Sequence, residues 1–166
     1  MKSLLERNVE IIMKDRDLIA RAVIWKDGAL LVNANHNKKT GEDYVALPGG
    51  HVDEGEGCVA ALGREIEEEM AASCEVGELL FVTENIYAGR EAHEKGRHEL
   101  TLFFSAAISG EQTRDDGTLY SPEAWKNFRW LPESELKGAN LLPPDAKKWL
   151  LKQNLALYSF SDTRKG

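Results

Sequence analysis

Short apolar runs alternate with polar breaks along the chain, and the spacing inside each run predicts its element. Residues 17–25 (DLIARAVIW) and 29–35 (ALLVNAN) are rich in β-branched and aliphatic side chains and predict two strands. The Lys26-Asp27-Gly28 step between them suits a hairpin turn, because Gly tolerates positive φ. Residues 8–13 (NVEIIM) fit either a further strand or the end of a short helix. A polar loop over 36–43 leads into a short run at 44–47, and Pro48-Gly49-Gly50 is expected to break regular structure. From about residue 56 to 72 the period turns helical, with Val59, Leu62, Ile66 and Met70 on one stripe. Residues 79–87 and 99–108 predict two strands joined by a charged, glycine-containing loop, and 128–131 a short one. Residues 144–154 (PDAKKWLLKQN) predict a closing amphipathic helix with Pro in its first turn. Strands outnumber helices, so the fold class is α/β, a mixed layered domain.

The 166 residues make one domain, 1–166. No stretch reaches the eighteen or so apolar residues of a membrane span, and the charged start MKSLLERNVEIIMKDRD lacks the apolar block of a secretion signal. Lys and Arg total 21 against 28 Asp and Glu, a net charge of -7 that repels long nucleic acids. A small phosphorylated substrate remains admissible, since bound cations turn acidic residues from repulsive to attractive. Two cysteines, Cys58 and Cys74, give neither a disulfide framework nor a four-cysteine zinc site, and a reducing cytoplasm is the expected compartment.

The chemistry concentrates in residues 49–72, GGHVDEGEGCVAALGREIEEEMAA. On a helix Glu65, Glu68 and Glu69 stand at i, i+3 and i+4 and share one face, rotated away from the apolar stripe. Each close pair of like charges costs ~0.2–0.5 kcal/mol, which a cation would offset. Carboxylate oxygens without cysteine or an obligatory histidine suit Mg²⁺ or Mn²⁺ better than zinc. A lone EIEEE run would read as a solvated acidic face. The run is not alone, however: it completes the spacing G50-x5-E56-x7-R64-E65-I66-x-E68-E69.

That spacing closely resembles the box of the Nudix hydrolases, with one departure. The box normally closes on Gly and an aliphatic residue, where this chain has Ala71 and Ala72. Gly would end the helix in a left-handed turn; Ala costs about 1 kcal/mol more there, or lets the helix run on. The resemblance implies an α/β/α sandwich with a mixed sheet. It implies Glu65, Glu68 and Glu69 as metal ligands, joined by the Gly49 carbonyl, with Glu56 and Arg64 paired to hold loop against helix. It further implies Mg²⁺-dependent attack of water on a nucleoside diphosphate linked to another moiety, such as ADP-ribose or a nucleotide sugar, releasing nucleoside monophosphate and a phosphorylated product. A (d)NTP or oxidised-nucleotide pyrophosphohydrolase is the alternative within the class, and a non-catalytic nucleotide-sensing module the alternative outside it.

The family's general base is a further Glu at a variable place. Glu123, in the loop before 128–131, is the first candidate and Glu99, after His98, the second; Glu84, Glu94 or a box glutamate complete the field. The loop GREAHEKGR offers Arg90, His93, Lys95 and Arg97 either as a solvated loop or as a phosphate or sugar clamp. Tyr87 and Tyr120 would stack on a base or pack at the rim. Asp53 and Glu54 read as solvated loop charge, and His51 as a loop filler. Trp25, Trp130 and Trp149 are expected in the core, and Cys58 lacks a neighbouring base pattern that would make it a nucleophile. The expected partner is a small nucleotide, with no long nucleic acid and no membrane. Residues 1–16 form an extension whose NVEIIM segment could pair as a strand in a homodimer or stay on its own domain.

Overall fold

The computed structural model describes residues 16–88 and 96–165. The NVEIIM segment, with the rest of the extension before Arg16, and Arg90, His93, Glu94 and Lys95 lie outside the described residues. Chain order runs β1 (Arg16–Val23), β2 (Trp25–Lys26), β3 (Ala29–Asn37), β4 (Glu42–Ala46), β5 (Gly49–His51), α1 (Cys58–Met70), β6 (Ser73–Tyr87) and β7 (Arg97–Ser109). After these come β8 (Phe128–Pro132), α2 (Glu133–Leu136), β9 (Leu141–Leu142), α3 (Pro144–Leu150) and β10 (Tyr158–Asp162). The strands divide between two sheets, ordered β10-β6-β7-β1-β5 and β2-β3-β4-β9, with β8 paired to β3. Pairing is mixed: β1 runs parallel to β7 and antiparallel to β5.

Alternation along β1 and β3 explains the layering. Successive strand residues point to opposite faces, and here both faces are buried. Ala20 and Ala22 join Leu31, Phe104 and Phe128 under the α1 residues Leu62, Ile66 and Met70. Val23, Leu30 and Val32 turn to a second core with Val45, Leu47, Phe81, Phe103 and Leu131. Small Ala side chains on the first face let α1 approach closely. On the second face Phe81 stacks on Phe103 at 4.2 Å and on Trp149 of α3 at 4.5 Å. The α/β sandwich is therefore assembled around two strands that serve both cores. Among the described residues no helix is long and apolar enough to cross a membrane.

The β2–β3 hairpin turns on Asp27 and Gly28, both at positive φ (50° and 75°), with Trp25 opposite Leu30 and Lys26 opposite Ala29. This is the two-residue turn whose twist matches the strands. Four expectations need correction. Pro48-Gly49-Gly50 does not end regular structure: Gly49 and Gly50 belong to β5 and pair with Arg21 and Ala20. Val59 lies off the buried stripe and is 52% exposed, its place taken by Ala61. Trp25 sits at a sheet rim, 41% exposed, rather than in the core. The closing helix stops at Leu150, not 154, because Lys152 adopts a left-handed φ of 57°.

Helix α1 stops in the way a glycine would stop it, without the glycine. Ala71 takes φ 50°, ψ 35°, and its N–H donates to the Glu67 carbonyl. An L-residue with a Cβ is strained there. Ala71→Gly should raise unfolding stability by up to about 1 kcal/mol, which for a domain of this size is roughly 2–4 °C in Tm by calorimetry.

Candidate active site

Two backbones meet closely where β5 lies beside β1 and α1 crosses them. Gly49 has φ 124°, and a Cβ there would collide with the Ala20 carbonyl. A Cβ on Gly50 would stand 2.7 Å from Glu65 Oε1. Glycine at both positions therefore lets the strand approach the first glutamate of the helix.

Arg64 organises the loop and the exposed side of α1. Its Nε donates to Glu56 Oε1 at 2.9 Å and its Nη2 to Glu56 Oε2 at 3.0 Å, the bidentate pair expected. Nη2 also donates to the His51 carbonyl at 3.2 Å, so the guanidinium fastens both ends of the loop. Nη1 donates to Glu65 Oε1 at 3.0 Å and Glu68 Oε2 at 3.3 Å. The bonds to Glu56 and Glu65 push the Arg64 guanidinium further up from its ordinary value, and Arg64 in turn holds the Glu56 carboxyl below the usual range. Asp53 is drawn into the same group, 3.6 Å from Arg64 and exposed.

Glu69 departs from the expectation of a single outward acidic face: it is 4% exposed. Seven residues on from Leu62, it lies only about 20° from that buried bearing at 100° per residue. Its carboxylate accepts from the Lys126 ammonium. Burial pushes the Glu69 carboxyl up, and Lys126 pulls it back. Oε2 is buried with no hydrogen-bond partner among the described residues.

A second cation comes from β1. Arg21 Nη1 donates to the Gly49 carbonyl at 2.6 Å and the Leu47 carbonyl at 3.0 Å. Enclosure lowers its basicity, opposed by the charges of Glu69, Glu99 and Glu65. Glu99 lies across from Asp17 and from Asn85, hence on the same sheet face as Arg21. Arg97 binds Glu99 and stands 3.5 Å from Asp17 Oδ2, with Tyr87 opposite it in register. The structure thus brings Glu99, Arg97 and Tyr87 together at one end of the sheet. Burial raises the Tyr87 phenol, with Glu99 adding to the shift.

Glu84 is on the opposite face, accepting from His98 Nε2 at 2.6 Å and from the Tyr158 hydroxyl. Glu123 sits in the turn that delivers Lys126 to Glu69. The Lys126 N–H donates to the Glu123 carbonyl at 3.0 Å, and Glu123 Oε2 is buried without a partner among the described residues. Tyr120 faces out, with the Arg114 guanidinium 5.8 Å from its ring. Cys58 and Cys74 are free thiols.

Among the described residues no three His, Cys, Asp or Glu side chains are gathered tightly enough to hold an ion as they stand. Arg64 lies between Glu65 and Glu68, while Lys126 holds Glu69. The donors nevertheless fit a hard divalent cation: they are all oxygens, and Glu69 Oε2 is a buried acceptor with no donor among the described residues. Arg21 and Lys126 were not picked out from the sequence. A charge in the middle of the apolar run DLIARAVIW was the available signal for Arg21. No spacing rule links Lys126 to Glu69, 57 positions away.

Comparison with known proteins bears on the family and the fold. The model of a family described as NUDIX domain matches residues 15–153. Among solved structures, a MutT NUDIX hydrolase from Burkholderia pseudomallei is similar at 26% identity and TM-score 0.57, over 83% of this chain and 97% of that one. The mMutator MutT protein from Bacillus halodurans gives TM-score 0.63 at 18% identity, over 88% and 89%. A UDP-X diphosphatase gives 0.52 at 17%, over 96% and 77%. The last two likenesses concern the fold alone. Among curated proteins none matches.

Proposed function

This chain belongs to the NUDIX family of pyrophosphohydrolases, and from that premise we propose that it uses Mg²⁺ or Mn²⁺ to hydrolyse a nucleoside diphosphate linked to a second moiety, such as ADP-ribose or a nucleotide sugar. The observation that supports this reading is an oxygen-only donor set, Glu65, Glu68 and Glu69 on α1 and the Gly49 carbonyl on β5, in which Glu69 Oε2 is buried and unpartnered among the described residues. Those four residues would hold the metal. When bound, it supplies charge neutralisation on the pyrophosphate and a more acidic water.

The chain's own groups do the rest. Arg64 and Glu56 keep the loop of β5 against α1, so that the carbonyl and the carboxylates keep one spacing. Arg21 adds positive charge beneath the phosphates from a position fixed by two carbonyls. We assign the base role to Glu123, whose Oε2 has no hydrogen-bond partner among the described residues, while Glu99 is already engaged by Arg97. Arg97 and Tyr87 line the same end of the sheet and are placed to meet the nucleoside or its partner group.

Phosphate-product release with Mg²⁺ across ADP-ribose, nucleotide sugars, dinucleoside polyphosphates and (d)NTPs tests the proposal. Nucleoside monophosphate from the diphosphate compounds is expected. Turnover confined to (d)NTPs would overturn the substrate class. Tight nucleotide binding without product in Mg²⁺ or Mn²⁺ would replace catalysis by sensing.

A further inference from the structure

Lys126 has no part in the box, yet its ammonium occupies the most deeply buried carboxylate of the site. Nζ contacts Glu69 Oε1 and lies 4.5 Å from the centre of the Trp125 ring. The backbone beneath it is fixed. The Lys126 N–H donates to the Glu123 carbonyl, and the Asn127 N–H donates to Asn33 Oδ1 at 3.0 Å, next to buried Phe128. The mobile part is the four-carbon stem with its compact charge.

We propose that Lys126 is an internal cation that competes with a divalent ion for Glu69, and that binding of the ion turns the ammonium toward the phosphates of the substrate. A carboxylate as buried as Glu69 needs a counter-charge, because an unpaired buried ion is strongly unfavourable. Lys126 supplies one positive charge to one oxygen and leaves Oε2 unpartnered among the described residues. A divalent ion on Glu69 Oε2 would stand beside the ammonium on Oε1 and repel it, so each weakens the other's hold on the carboxylate. Trp125 provides the way out. Its ring is 72% exposed and already in reach of Nζ, so the ammonium can move outward along an aromatic face that attracts it. Displaced, it becomes a point charge for a phosphate oxygen. The metal-binding half of this inference rests on the hydrolase reading above.

Two measurements test it. In the wild-type protein, acylation of Lys126 by an amine-reactive ester is followed by mass spectrometry, with exposed Lys39 as the internal reference. Labelling of Lys126 is expected to rise several-fold on adding Mg²⁺ and to fall again when inorganic pyrophosphate is added with it. Labelling unchanged or reduced by Mg²⁺ alone would overturn the displacement. In Lys126→Met, Mn²⁺ binding read by electron paramagnetic resonance is expected to tighten by about tenfold, since the ion no longer competes with a resident charge. Equal or weaker Mn²⁺ binding by the variant overturns this inference alone. No Mn²⁺ bound by either protein overturns it together with the metal-dependent hydrolase. Should the variant fail to fold, the wild-type labelling decides.

Discussion

Glu68→Gln is expected to lower kcat on the diphosphate substrates by about 10²–10³-fold in Mg²⁺, the scale seen when one electrostatic partner is removed from a reacting centre. The substitution is nearly isosteric, and the Glu68 side chain is 54% exposed, with one contact from Arg64 at 3.3 Å. Stability should therefore move by no more than about 0.5 kcal/mol. Steady-state kinetics beside a melting curve check both halves. A large loss of kcat with an unchanged Tm places the carboxylate in the chemistry. A variant that keeps wild-type turnover would remove Glu68 from the metal set.

Gly49→Ala is expected to act on the fold instead. The residue holds φ 124°, and its Cβ would enter the carbonyl of Ala20 on the neighbouring strand. Backbone strain and overpacking each cost about 1–3 kcal/mol, so a loss of about 3–5 kcal/mol and a fall in Tm of roughly 10 °C follow. Gly63→Ala is the matched control. It lies within α1, and its Cβ would meet nothing within 4 Å among the described residues. There the same methyl should stabilise the helix by about 0.5–1 kcal/mol. Urea unfolding of the two variants gives opposite signs if position, not alanine, governs the outcome.

Much of the candidate site's layout was legible because it is local. Glu56, Arg64, Glu65, Glu68 and Glu69 lie within fourteen positions, and helical periodicity alone puts the carboxylates together. What periodicity obscured was depth. Glu69 shares the bearing of Leu62, so it is buried while Glu68 is not; grouping the three as one outward face missed this. Gly49 and Gly50 were misread as breakers because glycine marks both turns and close backbone approach. Here the Ala20 carbonyl and the Glu65 carboxylate occupy the space a side chain would need. Arg21 and Lys126 were beyond reach for another reason. Their roles depend on which strand lies beside β5 and on which turn meets α1, facts carried by tertiary contacts and not by spacing. Ala71 is an intermediate case: the chain there offered two outcomes, a strained stop or a longer helix, and the stop is what forms.

The parallel pairing of β1 with β7 sets one constraint on how this molecule can be built. Arg16 meets His98 and Val23 meets Ser105, partners some eighty positions apart, so closing that ladder costs more chain entropy than any hairpin. The β5–β1 contact and the seating of α1 on it need far less of the chain, since Arg21 pairs with Gly49. During synthesis the acidic helix can therefore find β1 before β7 has left the ribosome, while the far edge of β1 still waits for its neighbour. Arg21 is held by Gly49 at that stage, but Glu99, Arg97 and Tyr87 are not yet present. The end of the sheet assigned to reading the substrate is thus completed after the seating of α1. The still longer-range pairings of β8 with β3 and β9 with β4, whose partners lie about a hundred positions apart, come later in the chain.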